Sequence, residues 1–454
     1  MRLPVVTLRL SNFGFRVSVA LSLTLLLLPA LLFSQTKPSP SYALTHATIF
    51  TLTGPPIEDG TVLIRDGKIA AVGAAVEIPK DAQVIDAKGL RVYPGLFDSI
   101  TQMGLSEIAA VSATVDSSEL GAYNPDVVAA TAVHPASAHI PVTRASGVTE
   151  VIAAPASGGL DFSGTRGIIA GQASAIHLSG WTIDEMLIRR SVAMVVNWPT
   201  MQTRSFDFST FSFRERPFNE VKQEYEKKIA ELTDWIGRAR HYSQAMEKGS
   251  SARYDRDLKL EAFVPVVRGE LPLLVVASKA RDIRNAVEFC DKQHFKTILA
   301  GAAEAYKVKD LLKSKNIPVI LQPTLSLPDE DDDPYDRPMT QPAELSAAGV
   351  KIAFASFDNS FARRLGQQAA NAVAYGLPYD EALKAVTLYP AQIFSLDKDL
   401  GTIEPGKIAN LIVTTGDPLE LTTDVRYLFI KGQLTSLENK HHQLYEEYLR
   451  RPKP

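Results

Sequence analysis

The residues of this sequence that could carry chemistry begin with three histidines that packing alone does not account for. Of eight histidines, these are His134, His139 and His177. Neutral imidazole is both a metal ligand and an acid–base group near neutral pH. One hypothesis combines His134 and His177 with Asp358 in a displaced metal site. The commoner alternative, which we favour, is that these histidines are hydrogen-bonded structural residues.

A second group of polar residues follows directly on apolar runs. Lys279 and Glu304 each come just after a predicted strand, and with Asp358 they would suit a metal-free acid–base site. Each of the two is equally well placed to begin a helix. The single cysteine, Cys290, occupies the apolar face of a helical pattern and is predicted to fill the core. The sequence contains no Gly-x-Ser-x-Gly elbow, P-loop or Cys/His nucleophile pair.

Strands and helices must alternate to position these groups. Several predicted strands are apolar throughout, which is typical of strands covered on both faces. We predict α/β architecture, a (β/α)8 TIM-like barrel over residues 93–400. An eighth strand is not evident, and Gly158–Gly180 is predicted to be a loop or hairpin over the barrel mouth. The seven predicted strands are Val92–Ser99, Val148–Ala154, Ala193–Trp198, Leu273–Ser278, Lys296–Ala300, Pro318–Leu321 and Val350–Ala355. Predicted helices cover Asn219–Lys248, Asp282–Gln293, Ala303–Lys315 and Tyr379–Phe394.

Short β-patterns flank this alternating region on both sides. They occupy residues 42–92 and 401–434, and Asp66-Gly67 between two of them is typical of a tight hairpin turn. Because these strands enclose the barrel in sequence, we predict a small β-sandwich domain formed by the N- and C-terminal segments. Residues 435–454 are predicted to be a polar tail.

The N-terminal residues have the pattern of an export signal. Three arginines precede an apolar run, residues 17–33, and a polar, proline-rich stretch follows it. This predicts a signal peptide over residues 1–34 and a periplasmic protein. The alternative is an uncleaved inner-membrane anchor. A formal net charge of -3 over 454 residues, with no basic stripe, argues against a nucleic-acid partner. After removal of the signal we expect no membrane association.

Three stretches resemble the amidohydrolase superfamily. Asp66–Ile69 and Val84–Ala87, running into Tyr93–Asp98, look like the strands that lead into barrel strand 1. Ala382–Phe394 is similar to the helix after the last barrel strand, and Gly401–Val413 to the return into the terminal domain. Their order is specific, and the nearest likeness is to imidazolonepropionase-like enzymes. The resemblance implies metal-dependent hydrolysis of C–N bonds of amides or cyclic amides.

The same resemblance implies metal ligands at strand ends, and this sequence departs from them. After strand 1 the family has Asp-x-His-x-His, where this chain has Ile100 and Gln102 at the histidine positions. Two later histidine positions fall at Val276 and Gly301. Only Asp358, after the last strand, stands where the family places an aspartate. A catalytic zinc needs about three protein ligands, so we expect no cofactor, and zinc only if a relocated site exists.

Three functions are compatible with these observations. The first is a non-catalytic relative that pairs with an active amidohydrolase paralogue or with itself. The second is an active hydrolase with a relocated metal site. The third is a protein that binds a peptide or cyclic amide at the barrel mouth, with Gln102, His177, Lys279 and Glu304 as candidate binding residues and Asp358 as the catalytic candidate. We favour the first, because every histidine position is lost together.

Overall fold

The computed structural model of the protein describes residues 40–155, 167–207, 212–247, 256–330 and 332–452. The predicted signal segment and part of Gly158–Gly180 lie outside these residues. Within them, no helix combines the length and the apolar character needed to cross a bilayer.

Strands predominate near both ends of the described chain, and most of the helices lie between them. The strands are β1 Tyr42–Ile49, β2 Ile57–Arg65, β3 Lys68–Gly73, β4 Gln83–Asp86, β5 Arg91–Pro94, β6 Leu96–Thr101, β7 Val148–Ala153, β8 Ile169–His177, β9 Leu187–Asn197, β10 Arg204–Asp207, β11 Ser212–Glu215, β12 Leu273–Ala277, β13 Thr297–Gly301, β14 Val319–Leu321, β15 Ile352–Phe354, β16 Leu411–Thr414, β17 Val425–Ile430 and β18 Gln433–Leu434. The α-helices are α1 His139–Ala145, α2 Ile183–Met186, α3 Phe218–Glu247, α4 Leu258–Val267, α5 Ala280–Gln293, α6 Lys309–Ser314, α7 Arg337–Ala347, α8 Leu365–Ala374, α9 Tyr379–Ala385, α10 Leu388–Ile393 and α11 Lys440–Leu449.

Both ends of the sequence contribute to one terminal sheet, as predicted. Its strand order is β18-β17-β16-β5-β1-β2-β3, with β4 paired to β1, so the strands form one continuous hydrogen-bonded sheet. Asp66 and Gly67 have φ values of 51° and 78°, the positive angles that a two-residue turn between β2 and β3 requires. A second hairpin, at Lys431 and Gly432, joins β17 to β18 with the same signs of φ.

The second eight-stranded sheet forms the barrel, in the order β15-β14-β13-β12-β9-β8-β7-β6. Its two edge strands approach each other where the Phe357 N–H donates to the Ile100 carbonyl at 2.9 Å. The predicted TIM-like barrel is therefore confirmed as a nearly closed sheet. Its inner face encloses a cluster of apolar side chains, which we call the barrel-interior cluster; it includes Phe97, Ile100, Ile152, Ala173, Val195, Leu274, Ile298, Ala300, Ile320, Ala353 and Ala355.

The eighth barrel strand is β8, and it runs antiparallel to both β7 and β9. The prediction of a loop or hairpin over the mouth was wrong for residues 169–177, which are almost wholly buried within the sheet. This strand was not recognised as part of the barrel because β8 is rich in alanine and glycine, which are uncommon in strands. Gly171 is needed there, since a Cβ atom at this position would lie 2.9 Å from the Val127 carbonyl oxygen.

Two predicted elements are each divided in the structure. The predicted strand Val92–Ser99 is divided between β5 of the terminal sheet and β6 of the barrel, with Gly95 as the single residue between them. The predicted helix Tyr379–Phe394 is divided into α9 and α10. Pro390 has no N–H to donate to the Val386 carbonyl, which instead accepts from the N–H of Phe97 in β6 at 2.8 Å. The interruption of the helix thus fixes the first barrel strand.

Candidate functional site

The mouth of the barrel is the expected position of a site, because the loops after the strands leave room for a substrate there. The barrel-interior cluster reaches this end of the sheet. Ile100 near the end of β6 and Ala300 near the end of β13 are fully buried members of it. Val276, the next-to-last residue of β12, is partly buried and packs against it. Apolar packing therefore continues to the strand ends where the resemblance implies metal ligands.

The four positions that the resemblance assigns to histidine carry no strong ligand. Gly301 ends β13 without a side chain and with a φ of 82°. Ala300 faces the interior beside it, so a shift of the alignment by one residue does not supply a donor. Gln102 is partly buried and makes contacts of its own. Its amide is a weak ligand for zinc compared with imidazole or thiolate.

A buried carboxyl group, Asp98, lies where β6 meets the end of β15. Its Oδ1 accepts the Ser356 N–H at 2.9 Å and the Ile100 N–H at 3.4 Å. The Ser356 hydroxyl lies 2.5 Å from the other oxygen, Oδ2. Burial raises the pKa of Asp98 to about 7, against the lowering effect of the Ser356 hydroxyl and amide. The Asp98 carboxyl group therefore links β6 to the residues that follow β15 and helps to close the barrel.

The same hydroxyl links Asp98 to the main chain of Asp358. Ser356 Oγ lies 2.7 Å from the Asp358 carbonyl oxygen, which also accepts from the Thr101 hydroxyl at 2.7 Å. A hydroxyl has one proton, so Ser356 donates to only one of its neighbours at a time. When Asp98 is protonated, it donates to Ser356 and Ser356 donates to Asp358. All three groups are then satisfied, which agrees with the raised pKa of Asp98.

The catalytic candidate Asp358 caps the turn that follows it. Its Oδ1 accepts the N–H groups of Ser360 and Phe361 at 2.6 and 2.8 Å. The preceding residue, Phe357, has a φ of 53°, an uncommon conformation for a non-glycine residue. The structure therefore confirms that Asp358 lies at the last strand end, and it gives this carboxylate a structural partner there.

Lys279 and Glu304 lie at the N-terminus of α5. Glu304 Oε2 accepts the Ala280 N–H at 2.7 Å, so it caps this helix across the loop. Burial raises the pKa of Glu304, but the Ala280 N–H and the Lys307 ammonium outweigh it, and the net pKa lies below its usual value. Lys279 precedes the helix and forms an ion pair with Glu330. Both residues therefore have the helix-start role that the sequence left open.

His177 lies at the other end of the barrel. Because β8 is antiparallel, its last residue pairs with Glu150 near the start of β7. His177 Nδ1 is 3.1 Å from Asn410 Nδ2, and this amide nitrogen also donates to Glu150 Oε2 at 2.9 Å. The amide can only donate, so Nδ1 is the acceptor and the neutral tautomer has its proton on Nε2. The Thr149 hydroxyl also donates to Glu150 Oε2.

Burial dominates the electrostatics of this group, which we call the basal cluster (Thr149, Glu150, His177 and Asn410). Burial, with a smaller contribution from the nearby Lys431 ammonium, lowers the pKa of His177 to about 3. Burial also raises the pKa of Glu150 to about 8. Both groups are therefore uncharged near neutral pH, and they join the base of the barrel to Asn410 in the terminal sheet domain.

The hypothesis of a displaced site built from His134, His177 and Asp358 is contradicted by these positions. His177 lies at the base and Asp358 at the mouth, while the His134 side chain is exposed. His139 begins α1, with its N–H 3.3 Å from Ser137 Oγ. Its Nε2 is 2.9 Å from the Glu107 carbonyl oxygen, the hydrogen bond of a structural histidine.

The chemistry of these groups does not fit a divalent metal. The superfamily metal needs several imidazole or carboxylate ligands at the strand ends. Here the carboxyl groups at the mouth, Asp98 and Asp358, accept protein N–H groups, and apolar side chains occupy the neighbouring positions. Across the described part of the chain, no three His, Cys, Asp or Glu side chains are grouped closely enough to hold a metal.

Sequence reasoning missed four of the residues that define these sites. Ser356 and Asn410 gave no signal, because serine and asparagine are ordinary surface residues. Glu150 stands inside the apolar run of β7, and a carboxyl group in such a run is itself a signal for a buried partner. Asp98 was visible as the first residue of the Asp-x-His-x-His position, but its partner, 258 residues away, was not.

A barrel combined with a sheet from both termini defines a class of proteins built like metal-dependent hydrolases. The sequence model of the amidohydrolase family matches residues 302–435. A solved amidohydrolase structure from Thermotoga maritima MSB8 superimposes with a TM-score of 0.74 and 26% identity, covering 87% of this chain and 99% of that one. This chain belongs to the amidohydrolase superfamily.

Two curated proteins are similar in sequence. Amidohydrolase tasK from Hapsidospora irregularis is 25% identical over 405 residues, 82% of this chain. The chain spans only 39% of the length of that relative. A dihydroorotase from Anaeromyxobacter dehalogenans strain 2CP-C is 55% identical over 38 residues, 8% of this chain and 9% of the relative. The narrower resemblance to imidazolonepropionase-like enzymes is tested by neither and stays a prediction.

Proposed function

We propose that this chain is an exported, non-catalytic amidohydrolase-superfamily protein that pairs with an active amidohydrolase in the cell envelope. The proposal that the chain is non-catalytic rests on one observation, which is that apolar residues occupy the strand ends at the mouth. Ile100, Val276 and Ala300 belong to or pack against the barrel-interior cluster. A metal-bound hydroxide would need ligands at these places, and an aliphatic side chain offers no lone pair.

The two carboxyl groups at the mouth support the same proposal. Asp98 is buried, with its pKa raised to about 7, and is hydrogen-bonded to Ser356. Asp358 caps a turn through Oδ1. A general base needs a carboxylate that is open to the attacking water, whereas the Asp98 carboxyl group holds the barrel closed and the Asp358 carboxylate caps a turn.

The partner role is supported by what the chain retains. The barrel, the terminal sheet and the links between them persist, so selection for a folded surface accounts for the chain without catalysis. The similar tasK protein is more than twice as long as the matched region. In that relative the matched region is joined to a large additional stretch of chain, and we propose that the present chain works beside a separate polypeptide.

Metal analysis and an activity panel test the non-catalytic part. The purified chain is incubated with zinc, dialysed, and analysed for metal, and it is assayed on dipeptides, N-acyl amino acids and cyclic amides. We expect substoichiometric metal and no turnover above that of Asp358→Asn, the matched control. One tightly bound zinc per chain, lost together with hydrolysis in Asp358→Asn, would establish an active enzyme instead.

Native co-purification tests the partner role. Affinity isolation from envelope extracts of the source organism is expected to recover a second amidohydrolase chain that has the full Asp-x-His-x-His pattern. Recovery of this chain without any such enzyme contradicts the partner role. Export is checked by intact mass, which should show loss of about the first 34 residues; a full-length mass in the membrane fraction indicates the anchor instead.

A further inference from the structure

The loops around the mouth of the barrel expose large apolar side chains. These side chains belong to the loops after β14, β15 and β6, and each of them is between 44% and 88% exposed. Soluble proteins rarely expose many such side chains together, and where they do, the group marks an interaction surface. We call them the mouth-rim side chains: Ile108, Val111, Leu120, Leu325, Leu327, Tyr335 and Phe361.

The three loops begin at neighbouring strands and are joined to one another. Strand β14 pairs with β15, and the Phe357 N–H brings the end of β15 to β6. Asn359 Nδ2 donates to the Ser106 carbonyl, which joins the loop after β15 to the loop after β6. The Thr324 hydroxyl donates to the Gln368 carbonyl at 2.9 Å, which joins the loop after β14 to α8. The mouth-rim side chains therefore lie at one end of the barrel, on adjacent loops.

Two of these loops are acidic throughout. Residues 102–138, after β6, and residues 322–336, after β14, contain ten of the 51 acidic residues of the chain and none of its 48 lysines and arginines. The chain as a whole has a net charge of -3, so the residues outside these two loops sum to +7. Negative charge is thus concentrated at the mouth. The ten acids are Glu107, Asp116, Glu119, Asp126, Asp329, Glu330, Asp331, Asp332, Asp333 and Asp336.

Few of these charges are neutralised within the protein. Lys279 forms ion pairs with Asp329, at 3.5 Å, and with Glu330. Among the described residues, no other acid of the two loops has a lysine or arginine at ion-pair distance, and Arg363 and Arg364 after β15 do not pair with them. The mouth therefore combines exposed apolar side chains with negative charge that the chain itself leaves uncompensated.

An occupant of this surface lies across the loops and does not enter the barrel. The barrel-interior cluster reaches the strand ends, where Ile100 and Ala300 are fully buried. The Asp98 carboxyl group beside them is bonded to Ser356. A small ligand between the strands would have to displace this packing, whereas an extended segment of polypeptide can contact several loops at once.

We propose that the mouth-rim side chains and the two acidic loops are the docking surface for a basic, apolar polypeptide segment of the partner amidohydrolase. The proposal rests on the partner role above and names the chemistry of the segment that makes the contact. The apolar side chains supply contact area, and the uncompensated carboxylates select lysine and arginine. A second copy of this chain, docked through the same patch, would place acids against acids. An anionic lipid surface would repel them, since it attracts basic segments.

Fluorescence anisotropy of the full chain with labelled synthetic peptides tests the charge of the surface. One peptide has phenylalanine and lysine separated by glycine, and the other has glutamate in place of lysine. We expect the lysine peptide to bind at least about tenfold more tightly, and Asp116→Asn with Glu119→Gln to raise its dissociation constant about tenfold. The matched control, Asp59→Asn with Glu77→Gln, removes the same charge from exposed positions of the terminal sheet domain and should bind as the wild type does. Equal binding of the two peptides, or an unchanged dissociation constant in the mouth variant, overturns the proposal.

Substitution of the most exposed mouth-rim side chains tests the apolar contact. Leu120→Ser with Leu327→Ser, at positions 88% and 87% exposed, should raise the dissociation constant of the lysine peptide about tenfold or more without disturbing the core. The matched control is Trp181→Ser, which is 91% exposed beyond the end of β8 at the base and should leave binding unchanged. A double variant that binds as tightly as the wild type overturns the docking surface. That result leaves the partner role standing, because the partner role fails only when native co-purification recovers no active amidohydrolase.

Discussion

The two ends of the barrel each bury a carboxyl group, but they satisfy it in different ways. At the mouth, Asp98 is held by Ser356 from the strand that closes the barrel. At the base, Glu150 is held by Thr149 beside it and by Asn410 from the terminal sheet domain. The contact at the mouth therefore joins the first and last strands of the barrel, whereas the contacts at the base join the barrel to the terminal sheet domain.

The two ends also differ in where a buried histidine lies. In the active superfamily, the resemblance implies histidines at the mouth, and here the buried histidine that remains in the barrel sheet, His177, lies at the base. Conservation of polar groups at the base of such a barrel is associated with stability, and at the mouth with catalysis.

Asn410→Ala should have the largest effect on stability. The substitution leaves His177 Nδ1 and the Lys431 N–H without this partner, and it leaves Glu150 Oε2 with the Thr149 hydroxyl alone. Each unsatisfied buried group typically costs 1–3 kcal/mol, so we expect the free energy of unfolding to fall by about 4 kcal/mol. Urea denaturation measures this, and Gln433→Ala, an exposed residue of the same sheet, is the control. A loss no larger than that of the control contradicts the basal cluster.

Asp98→Ala should destabilise the mouth by about 3 kcal/mol, since it leaves the Ser356 and Ile100 N–H groups unpaired. Asp98→Asn keeps an acceptor for Ser356 and should change stability by less than about 1 kcal/mol. Asp358→Ala, which removes a turn cap, should cost about 1 kcal/mol. A stability scan of the three variants in denaturant checks the order, and equal losses for Asp98→Ala and Asp358→Ala would be inconsistent with it.

The pH dependence of stability separates the two ends. Glu150 has its folded pKa, about 8, above its unfolded value, so the native state binds more protons and stability falls as pH rises toward 8. Asp98 contributes in the same direction up to about pH 7. His177, with its folded pKa lowered to about 3, contributes in the opposite direction, losing stability as pH falls below about 6.5.

Glu150→Gln should therefore reduce the slope of the profile above pH 7, where His177 no longer titrates and Asp98, already about half ionised, contributes less than Glu150. We expect the wild type to lose about 1 kcal/mol between pH 7 and 8 relative to this variant. Chemical denaturation at a series of pH values measures the difference, and Asp98→Asn serves as the matched control that should keep most of the wild-type slope between pH 7 and 8. Parallel profiles for Glu150→Gln and the wild type count against a buried, protonated Glu150.

Lys279→Ala should have the smallest effect, about 0.5 kcal/mol, because partly exposed ion pairs contribute little. Thermal melting of this variant beside Glu330→Ala checks the value, and the double variant should lose no more than either single change. A loss of several kcal/mol would indicate that Lys279 supports the mouth in a way that its ion pair with Glu330 does not explain.

The frame of the protein was predictable because it depends on local patterns. Asp66-Gly67 marked a hairpin, apolar runs marked the parallel strands, and the face containing Cys290 marked α5. The division at Gly95 was not predictable, since the apolar pattern continues through β5 and β6 and only the contact with Thr149 requires a glycine. The antiparallel β8 was missed because small residues hide the period of a strand.

Of the candidate site, only the residues that lack a metal-binding side chain at the expected strand ends were predictable. Once the strand ends are aligned, the sequence alone shows that three of these positions have no side-chain lone pair to offer a metal: Ile100, Val276 and Gly301. The contacts that link the strands and domains at the two ends could not be foreseen, because the Asp98–Ser356 and Glu150–Asn410 contacts join residues about 260 positions apart. Pairings at such separations depend on how the sheets close and leave no local trace.

The junction of the termini also constrains how the protein folds. Strand β5 pairs with β16, so that Pro94 lies beside Leu411, and no part of this pairing can form until nearly the whole chain is present. Contacts of such high sequence separation slow folding and leave early strands with exposed edges. During synthesis, β5 must therefore wait for its C-terminal neighbour β16. We expect this interval to be when the chain depends most on chaperones.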